Sequence, residues 1–226
     1  MFTEAGCNDE WLQEQAVRRQ KIPNVICVLP GRSEATIIVG AHFDHSGHGM
    51  GVVDNWSGAA LLPSLVESLN REPRKHTFIF VGFTQEEKGL IGSRFYAKQM
   101  TREQVAQTRA MVNLDSLGLG PTKVWLNRSD ERLSAALFAI AKAMKLPVEA
   151  INADQVGDED SRFFRERKIP TVVLHSVTQD TLPVLHSSSD KRAVVKMTDY
   201  VNTYRLIAAY LAYLDSVLDS STSSAK

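Results

Sequence analysis

The chain has 226 residues, a length that suits a single domain with one sizeable core. Its 43% hydrophobic and 23% charged residues exclude a disordered chain, a fibre or a coiled coil. Lys plus Arg and Asp plus Glu both number 26, so no basic excess points to nucleic acid, and no apolar run is long enough to span a bilayer.

The opening residues, MFTEAGCNDEW, are acidic and polar and do not read as a signal peptide, although a leader removed beforehand would leave the same start. Residues 1–20 form an N-terminal segment. Cys7 and Cys27 are too few for a disulfide scaffold. They either form one bridge, from the N-terminal segment to the first strand, or are a free buried Cys27 and an incidental Cys7; the compartment decides. Asn24–Leu29 and Ala35–Ala41 are short β-branched runs, and Pro30-Gly31 between them predicts a hairpin. Ser57–Asn70 places Leu61, Leu62, Leu65, Val66 and Leu69 on one helical face, with Pro63 expected to kink or shorten it. Thr77–Phe83 reads as a fully apolar strand. Helices are predicted over Gly89–Met100 and Arg102–Arg109, then strands over Ala110–Leu114 and Lys123–Asn127.

Asp130–Lys145 carries Leu133, Leu137, Ile140, Ala141 and Met144 on one face, and Pro147 stops it. A strand at Val148–Ala153, a helix near Ser161–Arg167, a strand at Thr171–His175 and a long amphipathic helix at Met197–Leu218 follow. Asp219–Lys226 reads as a polar, frayed tail. Strands alternating with helices predict an α/β fold, its mixed, mostly parallel sheet sandwiched between helices. No internal repeat or linker divides the chain, so 1–226 reads as one domain.

Ligands of open α/β sheets collect at the carboxyl ends of strands. There this sequence offers His42 and Asp44 after the second predicted strand, then Asp54 beyond a Gly-rich loop. Glu86 and Glu87 follow the third strand, Asp115 the fourth, and His186 lies beyond the last. Singly, each has a plainer reading. Asp54 would cap the helix after it, Glu86-Glu87 would be solvated, and His186 would sit in a surface loop. Jointly, two His and three carboxylates without Cys suit Zn²⁺ rather than Ca²⁺, with Mn²⁺ or Co²⁺ as substitutes. Five ligands are too many for one open tetrahedral ion and fit two ions about 3.5–4 Å apart. Adjacent residues such as Glu86 and Glu87 point different ways, so one can ligate while the other faces a bridging water. That water, its pKa lowered by two ions, would lose a proton to Glu86 and attack a peptide carbonyl as hydroxide.

The series GAHFDH (40–45), DNWSG (54–58), FTQEEKGLIGS (83–93), NLDSLG (113–118) and LHSSSD (185–190) resembles the M28 family of zinc peptidases, in the family's order. The resemblance implies a zinc-dependent exopeptidase (phosphorylase/hydrolase-like) fold and a di-zinc aminopeptidase. It implies that Asp54 bridges two ions, that His42 and Asp115 complete one site, and that Glu87 and His186 complete the other. Glu86 is then the general base, and Asp44 supports catalysis by holding His42 in its ligating tautomer. It also implies a strained or cis peptide at Asp54-Asn55. The family's Ser-Asp-His has only its Asp at Glu159-Asp160-Ser161, whereas Phe164 and Lys168-Ile169-Pro170 agree with the pattern.

The expected substrate is a peptide with a free N-terminus; no nucleic-acid or membrane partner is expected, and the oligomeric state is not readable. Relatives imply a secreted or periplasmic location. The runner-up activity is a glutaminyl-peptide cyclotransferase, which looks like this family but uses one zinc. Another exopeptidase specificity, such as a carboxypeptidase, is open, and a non-catalytic ectodomain predicts missing ligands. Of the remaining histidines, His45 and His48 read as a solvated loop, His76 as surface and His175 as a satisfied core residue.

Overall fold

β-Branched and aromatic runs supply most of a sheet ordered β1-β2-β4-β3-β5-β8-β6-β7. The strands are β1 (Leu12–Gln15), β2 (Asn24–Leu29), β3 (Thr36–His42), β4 (Thr77–Phe83), β5 (Thr108–Leu114), β6 (Thr122–Trp125), β7 (Val148–Ile151) and β8 (Thr171–His175). The helices are α1 (Ser57–Leu69), α2 (Ile91–Gln99), α3 (Arg102–Gln107), α4 (Glu131–Met144), α5 (Arg162–Glu166) and α6 (Met197–Val217). A computed structural model of the chain describes residues 1–8, 10–152 and 157–219. The expected strand end at Ala153 and the tail past Asp219 lie outside the described residues.

Alternation along the strands divides the core between two faces. Ile37, Val39, Phe78, Phe80, Val112 and Leu174 point to one face, covered by Leu61 and Leu65 of α1, Leu137 of α4 and Ile207 and Leu211 of α6. Ile26, Ile38, Val81, Phe83 and Met111 point to the other, under Ala97 of α2 and Phe164 of α5. Burial on both faces is why β3 and β4 read as near-continuous apolar runs.

Four expectations are corrected. β2 and β3 run in opposite directions but are not a hairpin, because β4 lies between them, antiparallel to β2 and parallel to β3. The Pro30–Ala35 connection instead crosses the start of β4, where Arg32 N donates to Arg74 O and Thr77 N to Ala35 O. Gly31 is required there, since a Cβ would come 2.2 Å from the His76 carbonyl carbon. Helix α1 runs from Ser57 through Pro63 to Leu69 and is not shortened; its buried Leu61, Leu62, Leu65 and Val66 hold it on the sheet against the lost hydrogen bond. His76 is fully buried, not surface, because α6 covers it and Asp215 accepts from its Nδ1 at 3.1 Å. His175 is buried but half-satisfied: Nδ1 accepts from Val177 N at 3.2 Å, while Nε2 has no partner among the described residues. Cys7 and Cys27, which the sequence left open, are disulfide-bonded within the core.

Candidate metal centre

β4, β3, β5 and β8 are adjacent and parallel, so their carboxyl ends share one edge of the sheet. β3 ends at His42; the turn after β4 carries Glu86 and Glu87; Asp115 follows β5 directly. The segments before α1 and beyond β8 return to the same edge with Asp54 and His186. Left-handed backbone at Gln85, Ser116 and His186 turns the chain sharply at three of these points.

The five expected ligands meet in two trios that share Asp54. His42 Nε2 lies 3.2 Å from Asp54 Oδ1 and 3.6 Å from Asp115 Oδ1. His186 Nε2 lies 3.0 Å from both Asp54 Oδ2 and Glu87 Oε2. The two oxygens of Asp54 thus face different trios. Glu86 Oε2 stands 3.9 Å from His42 Nε2, and Glu86 belongs to neither trio. The Asp54-Asn55 peptide is cis. Asp54 does not cap α1; Asn55 does, its Oδ1 accepting from Gly58 N at 2.9 Å.

Asp44 contacts His42 through its backbone carbonyl. His42 Nδ1 is 3.2 Å from the Asp44 backbone carbonyl, which only accepts, so Nδ1 carries the proton and Nε2 is left to ligate. The Asp44 carboxylate, 3.7 Å from the ring, instead accepts from Glu86 N at 2.9 Å and Glu87 N at 3.2 Å. Asp44 therefore holds both the imidazole and the turn that presents the two glutamates.

The charges call for a cation. Burial pushes the Glu86 carboxyl up to about 9, with Asp160, Asp115 and Asp54 adding to the shift against His42. Burial pushes Glu87 up to about 7, with Asp54 adding. Burial works against a charged His42, yet Asp115, Asp44 and Asp54 raise it well above its ordinary value. Carboxylates thus outnumber the imidazoles, and Glu87 Oε1 is buried with no hydrogen-bond partner among the described residues. This N/O donor set, free of sulfur, fits Zn²⁺ or a similar divalent ion.

Sequence reasoning gave no role to several groups at this edge. Asp160 is buried, its pKa pushed up to about 7 chiefly by desolvation, with Oδ1 unpartnered among the described residues; a partly matched motif was its only signal. Asp190 accepts from the backbone beside Asp54. A cavity of about 440 Å³ opens beside the trios, with Glu86, Glu87, His186, Leu90, Arg94 and Phe163 in its lining.

The profile of peptidase family M28 matches residues 24–211. The chain belongs to peptidase family M28. This M28 chain is 30% identical over 216 residues to a probable leucine aminopeptidase of Arthroderma benhamiae, covering 84% of this chain and 58% of that protein. Among solved structures it is similar to LapA aminopeptidase of Legionella pneumophila, with a TM-score of 0.84 and 24% identity over 96% of this chain and 62% of that one. It is also similar to BSAP, a zinc aminopeptidase from Bacillus subtilis, with a TM-score of 0.78 and 20% identity over 89% and 52% of the two chains. Several of the curated relatives are longer: the M28 chain spans 35% to 58% of the length of four of them. No helix among the described residues is long and apolar enough to cross a membrane.

Proposed function

We propose that the chain is a zinc-dependent aminopeptidase that removes N-terminal residues from peptides with a free α-amine. The observation that carries this reading is the pair of ligand trios joined at Asp54. Two divalent ions held there supply a water of lowered pKa and a Lewis acid for the scissile carbonyl. Zn²⁺ fits best, with Mn²⁺ or Co²⁺ as substitutes. Glu86 is buried beside the ligands without belonging to either trio. It takes the proton of the attacking water and passes it to the leaving amine. Asp44 holds Glu86 in place through the backbone N–H of Glu86. The neighbouring cavity receives the peptide next to Glu86 and His186.

A glutaminyl-peptide cyclotransferase with one zinc would leave one complete trio without use, and a non-catalytic relative would lack ligands. Both features favour the peptidase. The Cys7–Cys27 bridge supports an oxidising compartment, hence secretion or the periplasm. The test uses aminoacyl-p-nitroanilides with and without chelator, beside a glutaminyl substrate and N-blocked peptides. Cleavage of free-amine substrates alone, abolished by chelator and restored by Zn²⁺, is expected. Glu86→Gln should lower kcat by roughly 10²- to 10⁴-fold with zinc content unchanged; a wild-type rate removes Glu86 from its role.

A further inference from the structure

His186 and Asp54 belong to one trio, yet they sit on loops far apart in sequence. The Asp190 side chain ties the two loops together through the backbone. Asp190 is 1% exposed, and its Oδ1 accepts from Val53 N at 2.7 Å while its Oδ2 accepts from Asp54 N at 3.1 Å. The Asp190 N–H donates to Ser187 O at 3.0 Å, which closes the turn that directly follows His186. Met50 N donates to Asp190 O at 2.9 Å, and a Cβ on Gly49 would meet Ser187 O at 2.1 Å. The Gly-rich loop therefore packs flat against the same turn. A carboxylate that receives two successive backbone N–H groups fixes both position and orientation, because the bonds are charge-assisted and directional.

We propose that Asp190 is a positioning residue of the metal centre, which sets the bridging Asp54 against His186 by gripping the backbone at Asp54. The proposal rests on the metal-centre reading. Asp54 serves both trios, so loss of the grip weakens both sites, not only the one containing His186. Loss of outer partners of this kind weakens metal affinity roughly 10- to 100-fold.

The chain contains its own control. Asp215 grips the backbone in the same way, accepting from Lys75 N at 3.0 Å and His76 N at 2.7 Å, but at the amino end of β4, whereas the metal centre lies at the carboxyl edge of the sheet. β4 has seven residues. At a rise of about 3.3 Å each, about 20 Å of strand separates the Asp215 grip from the carboxyl end of β4, where Glu86 and Glu87 follow. The experiment titrates metal-free wild type, Asp190→Asn and Asp215→Asn with Zn²⁺ against a chromophoric chelator, and records the thermal midpoint of each metal-free protein. Wild type should bind two equivalents. Asp190→Asn should bind both roughly 10- to 100-fold more weakly, and Asp215→Asn should lose stability while keeping wild-type zinc affinity. A folded Asp190→Asn with wild-type affinity overturns the proposal, as does equal weakening in both variants. Absence of zinc binding by the wild type overturns the metal-centre reading itself. If Asp190→Asn does not fold, hydrogen exchange of the wild type decides. The Val53 and Asp54 amides should be protected in the metal-free protein, and exchange at open-loop rates would refute the grip.

Discussion

His175 gives the protein an acid-sensitive stability that one substitution should remove. Burial, opposed by Asp115 and aided by Lys123, lowers its pKa from 6.5 to about 4. A group depressed in the fold destabilises it as pH falls: below 6.5 the unfolded chain takes up a proton that folded His175 refuses until about 4. The gap of about 2.5 units, at 1.36 kcal/mol per unit, comes to about 3 kcal/mol. That stability is fully present above pH 6.5 and is lost by about pH 4. His175→Asn cannot titrate, and its Oδ1 can still accept from Val177 N. Urea unfolding of both proteins in EDTA, from pH 7.5 to 4, measures the effect. EDTA removes any contribution from ligands releasing metal to protons, and carboxylates that do not face His175 cancel in the difference between proteins. Wild type minus variant should fall by about 3 kcal/mol across the range, most steeply between 6.5 and 4. A flat difference would show that His175 titrates normally and refute the reasoning.

Three further outcomes follow from named contacts. His186→Ala should retain one zinc per chain after dialysis, because His42, Asp54 and Asp115 remain, whereas Asp54→Ala should retain none; atomic absorption reads both. Reducing the Cys7–Cys27 bridge, which spans 20 residues, should lower unfolding free energy in urea by about 3 kcal/mol through loop entropy. Leu65 is wholly buried in the α1 face of the core, so Leu65→Ala should cost about 2–5 kcal/mol by the same assay.

The parts of this fold legible in the sequence are those set locally. Apolar runs mark β3, β4, β5 and β8, and the rule that ligands gather at strand ends then points to His42, Glu86, Glu87 and Asp115. Pairing is not local. Nothing in Asn24–Ala41 announces that β4 will enter between β2 and β3, although TFIFVGF, apolar on both faces, suits a central strand. β1, with the sequence LQEQ, escapes notice because it is an edge strand with two exposed residues. His76 looks solvated beside Arg74 and Lys75 until α6, far along the chain, lays Asp215 over it. Asp190 ends the LHSSSD motif without a role of its own, and only folding brings it to Asp54.

The sequence neighbours of the ligands repeat one arrangement, and Asn55 tests it. Asp44, beside His42, holds the backbone of Glu86 and Glu87. Asn55, beside Asp54, holds the backbone on either side of Asp115: its Nδ2 donates to Leu114 O at 2.9 Å, and its Oδ1 accepts from Ser116 N at 3.2 Å. The same Oδ1 also caps α1 through Gly58 N. Asn55 is fully buried, so no water is at hand to replace it. Asn55→Ala therefore strands two N–H groups and one carbonyl, at about 1–3 kcal/mol for each group left unsatisfied. The expected loss is roughly 3–5 kcal/mol in urea unfolding of the metal-free protein, allowing for relaxation. Asn55→Asp keeps the acceptor but turns a carboxylate oxygen on Leu114 O, so it should not rescue the loss. If Asn55→Asp were as stable as wild type, the Nδ2 donor would be irrelevant, and Asn55 would hold Asp115 through Ser116 N alone.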